Sequence, residues 1–364
     1  MKQRMKQGIA SKVALGSVLA LAGTSMAACD VDGPDQKVKF LHFLRMGWPE
    51  GITPEAHQLG NFWVWTWVTA WIIGIIMWGI FLYAIFGRWN AKKAAKRGDG
   101  EFPRQLQYNI PLELVLTIIP IVIVMGLFLF TVQAQDRATA LDKNPQVKVD
   151  VTAFQWNWKF GYQEVGKELS PTGSVYNGKD EAREAEAEKN GVNANGNNPI
   201  HGRSQMDKSY LHYDKIETVG TTDEVPVLVL PSNTPIEFQL ASSDVSHSFW
   251  VPEFLFKRDA YPHPEANSSQ RAFQVEKIEK EGAFVGRCAE MCGTYHAMMN
   301  FEVRVVSPEK FTQYMDYRIN HPDAPNSEAL KSIGEDPFAT TTKPFSSLRD
   351  TRGGDNFQDP NSLS

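Results

Sequence analysis

Two apolar runs set the pattern of the first third of the chain. Phe62 to Phe86 is 25 residues without a charge, and Ile110 to Val132 carries one, Glu113. Each is long enough to cross ~30 Å of hydrocarbon with some tilt. Trp63, Trp65, Trp67 and Trp71 crowd toward one end of the first run, as an interfacial aromatic belt does. From Val147 the period changes to two, with Val147, Val149 and Val151 alternating with Lys148 and Asp150. Val225 to Leu230, Pro235 to Leu240, Arg271 to Ile278 and Phe301 to Val306 read as further strands. Short strands separated by turn residues predict a β-sandwich or barrel. After Gln163 the chain turns polar until about Thr222, with acids and bases interspersed from Lys179 to Lys189, the pattern of a solvated helix and loop. Ser307-Pro308-Glu309 offers an N-cap, a first-turn proline and a first-turn acid, predicting a helix to about Arg318. The tail after Asn320, rich in Pro, Ser, Asp and Thr, is expected to be extended, either disordered or draped over a neighbour.

The first residues look like an export signal. Lys2, Arg4, Lys6 and Lys12 precede the apolar stretch Val13 to Ala22, which is too short to span a bilayer. Ala27-Ala28-Cys29 then resembles a bacterial lipobox, which makes Cys29 the expected lipidation site; ordinary cleavage nearby is the plainer reading. Between the two apolar runs, Arg88, Lys92, Lys93, Lys96, Arg97 and Arg104 face only Asp99 and Glu101, so this loop is expected in the cytoplasm. Both flanks then lie outside, in agreement with an exported N-terminus. The mean hydropathy of -0.32 averages these apolar runs with a polar remainder. A net charge of -5 over 364 residues argues against nucleic acid as a partner.

The densest chemistry lies in Cys288-Ala289-Glu290-Met291-Cys292-Gly293-Thr294-Tyr295-His296-Ala297-Met298-Met299. Two thiols, an imidazole and a thioether fall within it, and His247 stands upstream in Asp244-Val245-Ser246-His247-Ser248. Thiolate, thioether and imidazole together suit copper and are poor partners for hard cations. Two thiolates can bridge two metals, each completed by a histidine and a weaker donor. Three plainer readings compete: a Cys288–Cys292 disulfide, a structural zinc site, and a copper chaperone of thioredoxin-like fold. Zinc seldom takes a thioether, and β-patterned sequence around the cysteines disfavours the chaperone. Met298 adjoins Met299 and can serve as the sulfur donor in its place.

These residues resemble the CuA-binding domain of cytochrome c oxidase subunit II, of the aa3 type and similar in character to actinobacterial members. The resemblance covers roughly residues 40–320. It implies an N-terminal two-helix transmembrane hairpin followed by an extracytoplasmic, all-β, cupredoxin-like Greek-key barrel. It also implies His247, Cys288, Cys292, His296 and Met299 as side-chain ligands of a dinuclear copper centre, with Glu290 ligating through its backbone carbonyl. The Glu290 side chain would further hold a Mg2+ shared with subunit I. Electrons would pass from cytochrome c to the copper pair and on to haem a of subunit I, where oxygen is reduced to water with proton pumping. Oxidase subunits I and III are the implied partners, together with membrane lipid. The donor would be cytochrome c or the membrane-bound cytochrome c of a bc complex in a supercomplex.

Further roles follow from the same resemblance. Gln155-Trp156-Asn157-Trp158 matches the family's aromatic segment, whose first tryptophan, here Trp156, receives the electron, while Trp158 reads as a core residue. Asp244 matches an acidic position near the donor-docking face; a turn-capping aspartate is the competing reading. Asp259 matches an aspartate near the subunit I interface. Tyr261-Pro262-His263-Pro264 replaces the family's following Pro-Gly-Arg, which leaves its arginine link to Arg271 or Arg287. Glu113, near the cytoplasmic end of the second span, matches the entrance of the proton channel known as the K pathway. An acid stabilised by the helix dipole is the alternative. His42, His57, His201, His212, His263 and His321 read as surface or structural. The expected organisation is a lipoprotein signal at 1–28, an external segment at 29–61, a hairpin at 62–132 and a copper domain at 147–306. An insertion at about 163–222, read first as surface decoration and otherwise as a contact for another subunit or the donor, and a C-terminal helix and tail at 307–364, complete it. The chain would sit in the bacterial plasma membrane, its copper domain and lipidated N-terminus on the outer face. A quinol oxidase subunit would lack the cysteines, nitrous-oxide reductase would need a further catalytic domain, and a copper-delivery lipoprotein would bind a single copper.

Overall fold

The computed structural model describes residues 45–88, 90–98, 108–141, 144–193 and 208–344. The signal segment, Cys29, His42, His201 and the end of the tail lie outside the described residues. The chain forms two compact units, one built on residues 58–136 and the other on residues 49–57 and 137 onward.

The first unit is carried by two apolar helices, α1 (Pro54–Leu82) and α3 (Ile110–Thr139), with the short basic helix α2 (Ala91–Arg97) between them. Both long helices have the length and composition to cross a membrane. Helix α1 starts before the apolar run because its cap lies there. Thr53 Oγ1 accepts the Ala56 N–H at 3.1 Å, Pro54 needs no donor, and Glu55 suits the first turn. Helix α2 is capped by Asn90, whose side chain accepts from Lys92 N–H, and ends on Gly98 in the left-handed region at φ 72°.

The second unit is a two-sheet sandwich. One sheet contains β1 (Val147–Phe154), β2 (Asn157–Val165), β3 (Tyr176–Asn177), β4 (Glu217–Val219), β6 (Ile236–Ser242) and β9 (Ala272–Val275), in the order β3-β2-β1-β6-β9 with β4 beside β2. The other runs β5-β11-β10-β7-β8, from β5 (Val227–Pro231), β7 (His247–Val251), β8 (Phe256–Ala260), β10 (Gly282–Cys288) and β11 (Asn300–Val306). β1 pairs parallel to β6 and β5 parallel to β11, and the cupredoxin-like fold expected from the resemblance is present as two facing sheets. Aromatic rings fill the space between them. Trp158 and Phe160 from one sheet meet Phe301 from the other at 5.2 and 5.3 Å between centroids, and Phe238 meets Phe249 at 5.4 Å. The alternation read at Val147, Val149 and Val151 is the inward face of β1, all fully buried.

The described part of the polar stretch contains the helix the charge pattern predicts, together with short strands and buried residues it does not. Helix α4 (Glu181–Asn193) occupies it, with β3 and β4 on either side. Helix α5 (Pro308–Asn320) also follows its expected cap, Ser307 Oγ accepting from Lys310 N–H at 3.3 Å. The tail beyond it departs from expectation. Residues 321–344 are not extended throughout, since α6 (Asn326–Ser332) buries Ala329 and Leu330. Beyond α6 the chain is fastened to β11. Glu302, with no exposed surface, accepts from the backbone N–H of Thr340 and Thr341 at 2.7 and 2.8 Å and from both threonine hydroxyls. The sequence pattern hid this because a buried acid on a strand carries no periodic signal of its own.

Candidate metal centre

Four elements deliver the donors. His247 opens β7 and Cys288 closes β10, two antiparallel neighbours in register at Cys288↔Phe249. The loop from β10 to β11 carries Cys292, turns as a short 3-10 helix at His296–Met298, and sets Met299 just before β11. Antiparallel pairing of β10 with both β7 and β11 therefore holds both ends of the loop in place.

The donor atoms converge. Cys288 Sγ stands 3.8 Å from Cys292 Sγ, 3.8 Å from His247 Nδ1 and 3.2 Å from the carbonyl oxygen of Glu290. Cys292 Sγ stands 3.6 Å from His296 Nδ1 and 3.9 Å from Met299 Sδ. Two donors each about 2.3 Å from a shared tetrahedral metal stand about 3.8 Å apart, so the spacing fits bridging sulfurs with one histidine on either side. The cysteines are free thiols and not a disulfide. Met299 is 1 % exposed with its sulfur on Cys292, whereas its neighbour Met298 is half-buried. The set fits a copper pair: two soft sulfurs shared, and on each side one imidazole and one weak donor, Met299 Sδ or Glu290 O. Among the described residues, His247, Cys288 and Cys292 form a buried group whose ligand atoms all lie within 4.8 Å of one another.

Protonation follows from this crowding. The hydrogen bond from Cys292 lowers the Cys288 thiol below the ordinary cysteine value, with His247 and the backbone adding to it against burial. The same bond, together with burial, pushes Cys292 up. The pair favours keeping its proton on Cys292, and a metal held by both sulfurs would have to displace it.

A second layer orients the ligands. Asp244 Oδ1 lies 2.9 Å from His247 Nε2, which leaves Nδ1 facing Cys288. Asp244 Oδ2 accepts from Gln155 N–H at 2.7 Å. Burial raises the Asp244 carboxyl, but the bonds from His247, Gln155 and Val245 outweigh it and hold it below the usual carboxylate range. Burial likewise lowers His247, and Asp244 and Cys288 outweigh that and raise it. The sequence offered Asp244 a docking or turn-capping part, and the structure adds this contact with the ligand. The Asp-x-x-His spacing was its only signal.

Trp156 sits at the two-residue turn between β1 and β2, half-buried and edge-on to Tyr295 at 4.8 Å. Its Nε1–H donates to the Cys292 carbonyl at 3.2 Å, and Gln155 Nε2 donates to the same oxygen at 2.7 Å. Trp158 is buried behind the loop and donates from Nε1 to the Met299 carbonyl at 3.2 Å. Asp259 bonds Lys257 and the Tyr261 hydroxyl. Arg271 is engaged with Glu265 at 2.8 Å. Glu113 lies in the other unit, exposed in the first turn of α3, where its side chain accepts from Asn109 N–H at 3.1 Å. Of the six histidines read as structural, His57 pairs with Glu279 and His212 with Asp150.

Comparison with known proteins agrees with this geometry. Residues 204–306 match the family profile of the cytochrome C oxidase subunit II periplasmic domain. Cytochrome c oxidase subunit 2 of Corynebacterium diphtheriae is 66% identical over 361 residues, 99% of each chain. The subunit 2 of Corynebacterium glutamicum is 64% identical over 359 residues, 98% of this chain and 99% of that one. Among solved structures, the periplasmic domain of subunit II of cytochrome oxidase from Bradyrhizobium japonicum is 21% identical. It covers 49% of this chain and 96% of its own, with a TM-score of 0.29.

Proposed function

Because the chain belongs to the cytochrome c oxidase subunit II family, we propose that it takes electrons singly from a cytochrome c donor outside the membrane and passes them into the oxidase. It is a membrane-anchored subunit of a haem-copper terminal oxidase, an oxidoreductase, and its His/Cys/Cys cluster is compatible with CuA copper binding. The observation that carries the proposal is the convergence of six donors, with each cysteine sulfur facing one imidazole and one weaker donor.

His247, Cys288, Cys292, His296, Met299 and the Glu290 carbonyl hold the metal pair in this reading. Copper held by these residues would supply one-electron redox chemistry. The chain does the rest. Both ends of the loop are pinned by strands, so the donors keep their places between redox states. Burial of His247, Cys288, Cys292 and Met299 keeps water from the sulfurs. Trp156 receives the electron at the half-buried edge of the site, and its hydrogen bond leads into the backbone of a ligating cysteine. Asp244 fixes the His247 ring and, with its side chain 23% exposed, leaves some negative charge near the docking face.

Further parts belong to the same proposal. The Glu290 side chain holds a Mg2+ at the contact with subunit I, as the family resemblance implies. Subunit III completes the complex, and the donor is cytochrome c or the bound cytochrome c of a bc complex. Cys29 carries the lipid, placing the N-terminus and copper domain on the outer face. Glu113 opens a proton path on the cytoplasmic side.

The test is copper stoichiometry and electron paramagnetic resonance on the full chain purified in detergent. A pair of coppers sharing one unpaired electron is expected. A single copper, or a metal-free chain with Cys288 bonded to Cys292, overturns the reading.

A further inference from the structure

Two side chains of the insertion reach the turn between β6 and β7. Tyr210 donates its hydroxyl proton to the carbonyl of Ser242 at 2.7 Å, and Lys208 Nζ donates to the carbonyl of Ser243. Ser242 closes β6, and the chain then passes through Asp244 to His247 at the start of β7. Ser242 has no exposed surface, so its carbonyl must find a donor within the protein, and Tyr210 supplies one. The N–H groups of the same two residues are held by the sandwich. Ser242 N–H donates to Tyr261 O at 3.0 Å, and Ser243 N–H to Ala153 O at 2.8 Å. The turn is gripped by the sandwich on its donor side and by the insertion on its acceptor side.

This turn carries the contact with a metal ligand. Ser242 Oγ accepts the Asp244 N–H at 3.1 Å and donates to Val245 O. Asp244 Oδ1 lies 2.9 Å from His247 Nε2, and His247 Nδ1 faces Cys288 Sγ at 3.8 Å. Ser242 and Asp244 are therefore the steps between the Tyr210 hydroxyl and the ring that faces the metal.

Two features of the sequence that had no part in the copper site meet here. Tyr210 belongs to the insertion, and its ring packs on the His263 imidazole with centroids 3.9 Å apart. His263 belongs to Tyr261-Pro262-His263-Pro264, the segment that departs from the family pattern. Tyr261 of that segment is also the acceptor for Ser242 N–H. The ring contact aims the tyrosine, and the hydroxyl fixes the turn.

We propose that Tyr210, assisted by Lys208, is a positioning residue for His247: the insertion fixes the turn that carries Asp244, and Asp244 fixes the ring. The inference rests on the copper reading of the site. A carboxylate behind a ligating histidine sets the ring's orientation and raises its basicity. A turn released on its acceptor side loosens that carboxylate, and the imidazole becomes a poorer donor. A poorer donor favours the reduced metal and raises the reduction potential. A tyrosine that only fastens the insertion would change stability and leave the metal's properties alone.

The experiment compares wild type, Tyr210→Phe, Asp244→Ala and the double variant, each as the full copper-loaded chain in detergent. Copper affinity in competition with a chelator, the copper hyperfine splitting in electron paramagnetic resonance and the reduction potential are the readouts. Tyr210→Phe keeps the ring on His263 and removes the hydroxyl. It is expected to weaken copper binding severalfold, short of the roughly 10–100-fold of a direct partner, and to raise the potential. In the Asp244→Ala background the same change is expected to move neither, because the route is already cut. Wild-type affinity, splitting and potential in Tyr210→Phe overturn the inference, even where the unfolding midpoint falls. Shifts that add in full to those of Asp244→Ala overturn it as well. Should Tyr210→Phe fail to accumulate, Lys208→Met, which removes the donor to Ser243 O, enters the same cycle and is judged by the same outcomes. A wild type with two coppers beside an unchanged Tyr210→Phe leaves the electron-transfer reading standing, whereas a wild type with one copper or none overturns both.

Discussion

The indole of Trp156 donates its Nε1–H to the backbone carbonyl of Cys292 at 3.2 Å, joining the half-buried edge of the site to a residue whose sulfur faces His296 and Met299. Trp156→Phe keeps an aromatic ring and removes the donor. Copper content and the near-infrared absorbance are expected to persist, while reduction by cytochrome c slows. The loss of one hydrogen bond, about 1 kcal/mol, corresponds to somewhat under tenfold if it acts wholly on the barrier. Stopped-flow reduction of the copper band measures this, and an unchanged rate removes Trp156 from the path.

That contact depends on Gly293. Its φ of 121° lies where side chains are strained, and a Cβ there would stand 3.2 Å from the Trp156 ring and from Gln155 Nε2. Gly293→Ala is expected to destabilise the loop by about 1–3 kcal/mol and to shift Trp156 off the Cys292 carbonyl. A lowered unfolding midpoint with slowed cytochrome c reduction is the anticipated pair of results. A midpoint equal to wild type shows that the loop accommodates the methyl group.

Asp244 orients His247 through Nε2, so its removal is felt at the metal. Partners of ligating histidines are worth about 10–100-fold in metal affinity. Asp244→Ala is expected to weaken copper binding by that factor in competition with a chelator, and Asp244→Asn, which keeps an acceptor oxygen, by less. Equal affinity in all three chains means that the strands alone hold the ring.

The convergence of the Cys288–Met299 loop could be read from sequence because donors in a single loop have a spacing, and His247 added a second short motif. Both membrane spans were equally plain, since hydrocarbon thickness imposes a length. What stayed hidden was made of single contacts across long separations. Asp214 packs against Gly161 only because that residue lacks a side chain, and Glu302 meets Thr340 and Thr341 across the strand-to-tail gap. The tail's Pro- and Ser-rich composition pointed away from order, yet Ala329, Leu330 and the Glu302 contacts hold it.

Glu302 and Arg304 form a buried ion pair on β11, and Arg304 also donates to the carbonyls of Asp336 and Phe338. Glu302→Gln leaves the buried arginine with only the longer 3.5 Å contact to Glu335 as a charge partner and takes acceptor capacity from both threonines. Breaking such a pair costs about 3–5 kcal/mol. The expected result is a lowered unfolding midpoint and faster proteolysis beyond Asn320, with copper spectra preserved. Resistance to protease equal to wild type shows that α6 alone secures the tail.

Glu113 separates a structural from a functional part cleanly. Its carboxylate accepts the Asn109 N–H, and the Asn109 side chain in turn accepts from Leu112 N–H at 3.3 Å, so the two residues cap α3 reciprocally. A glutamine keeps an oxygen for the Asn109 donor but cannot carry a proton. If capping is its whole contribution, Glu113→Gln leaves oxidase turnover intact. If Glu113 passes protons inward, turnover falls severalfold while copper content and electron input at Trp156 stay normal. The second outcome is expected, because an acid at the end of a membrane span is retained at a cost that capping by a neutral residue would avoid. Proton uptake by the assembled oxidase in vesicles, measured beside cytochrome c reduction kinetics, decides between them.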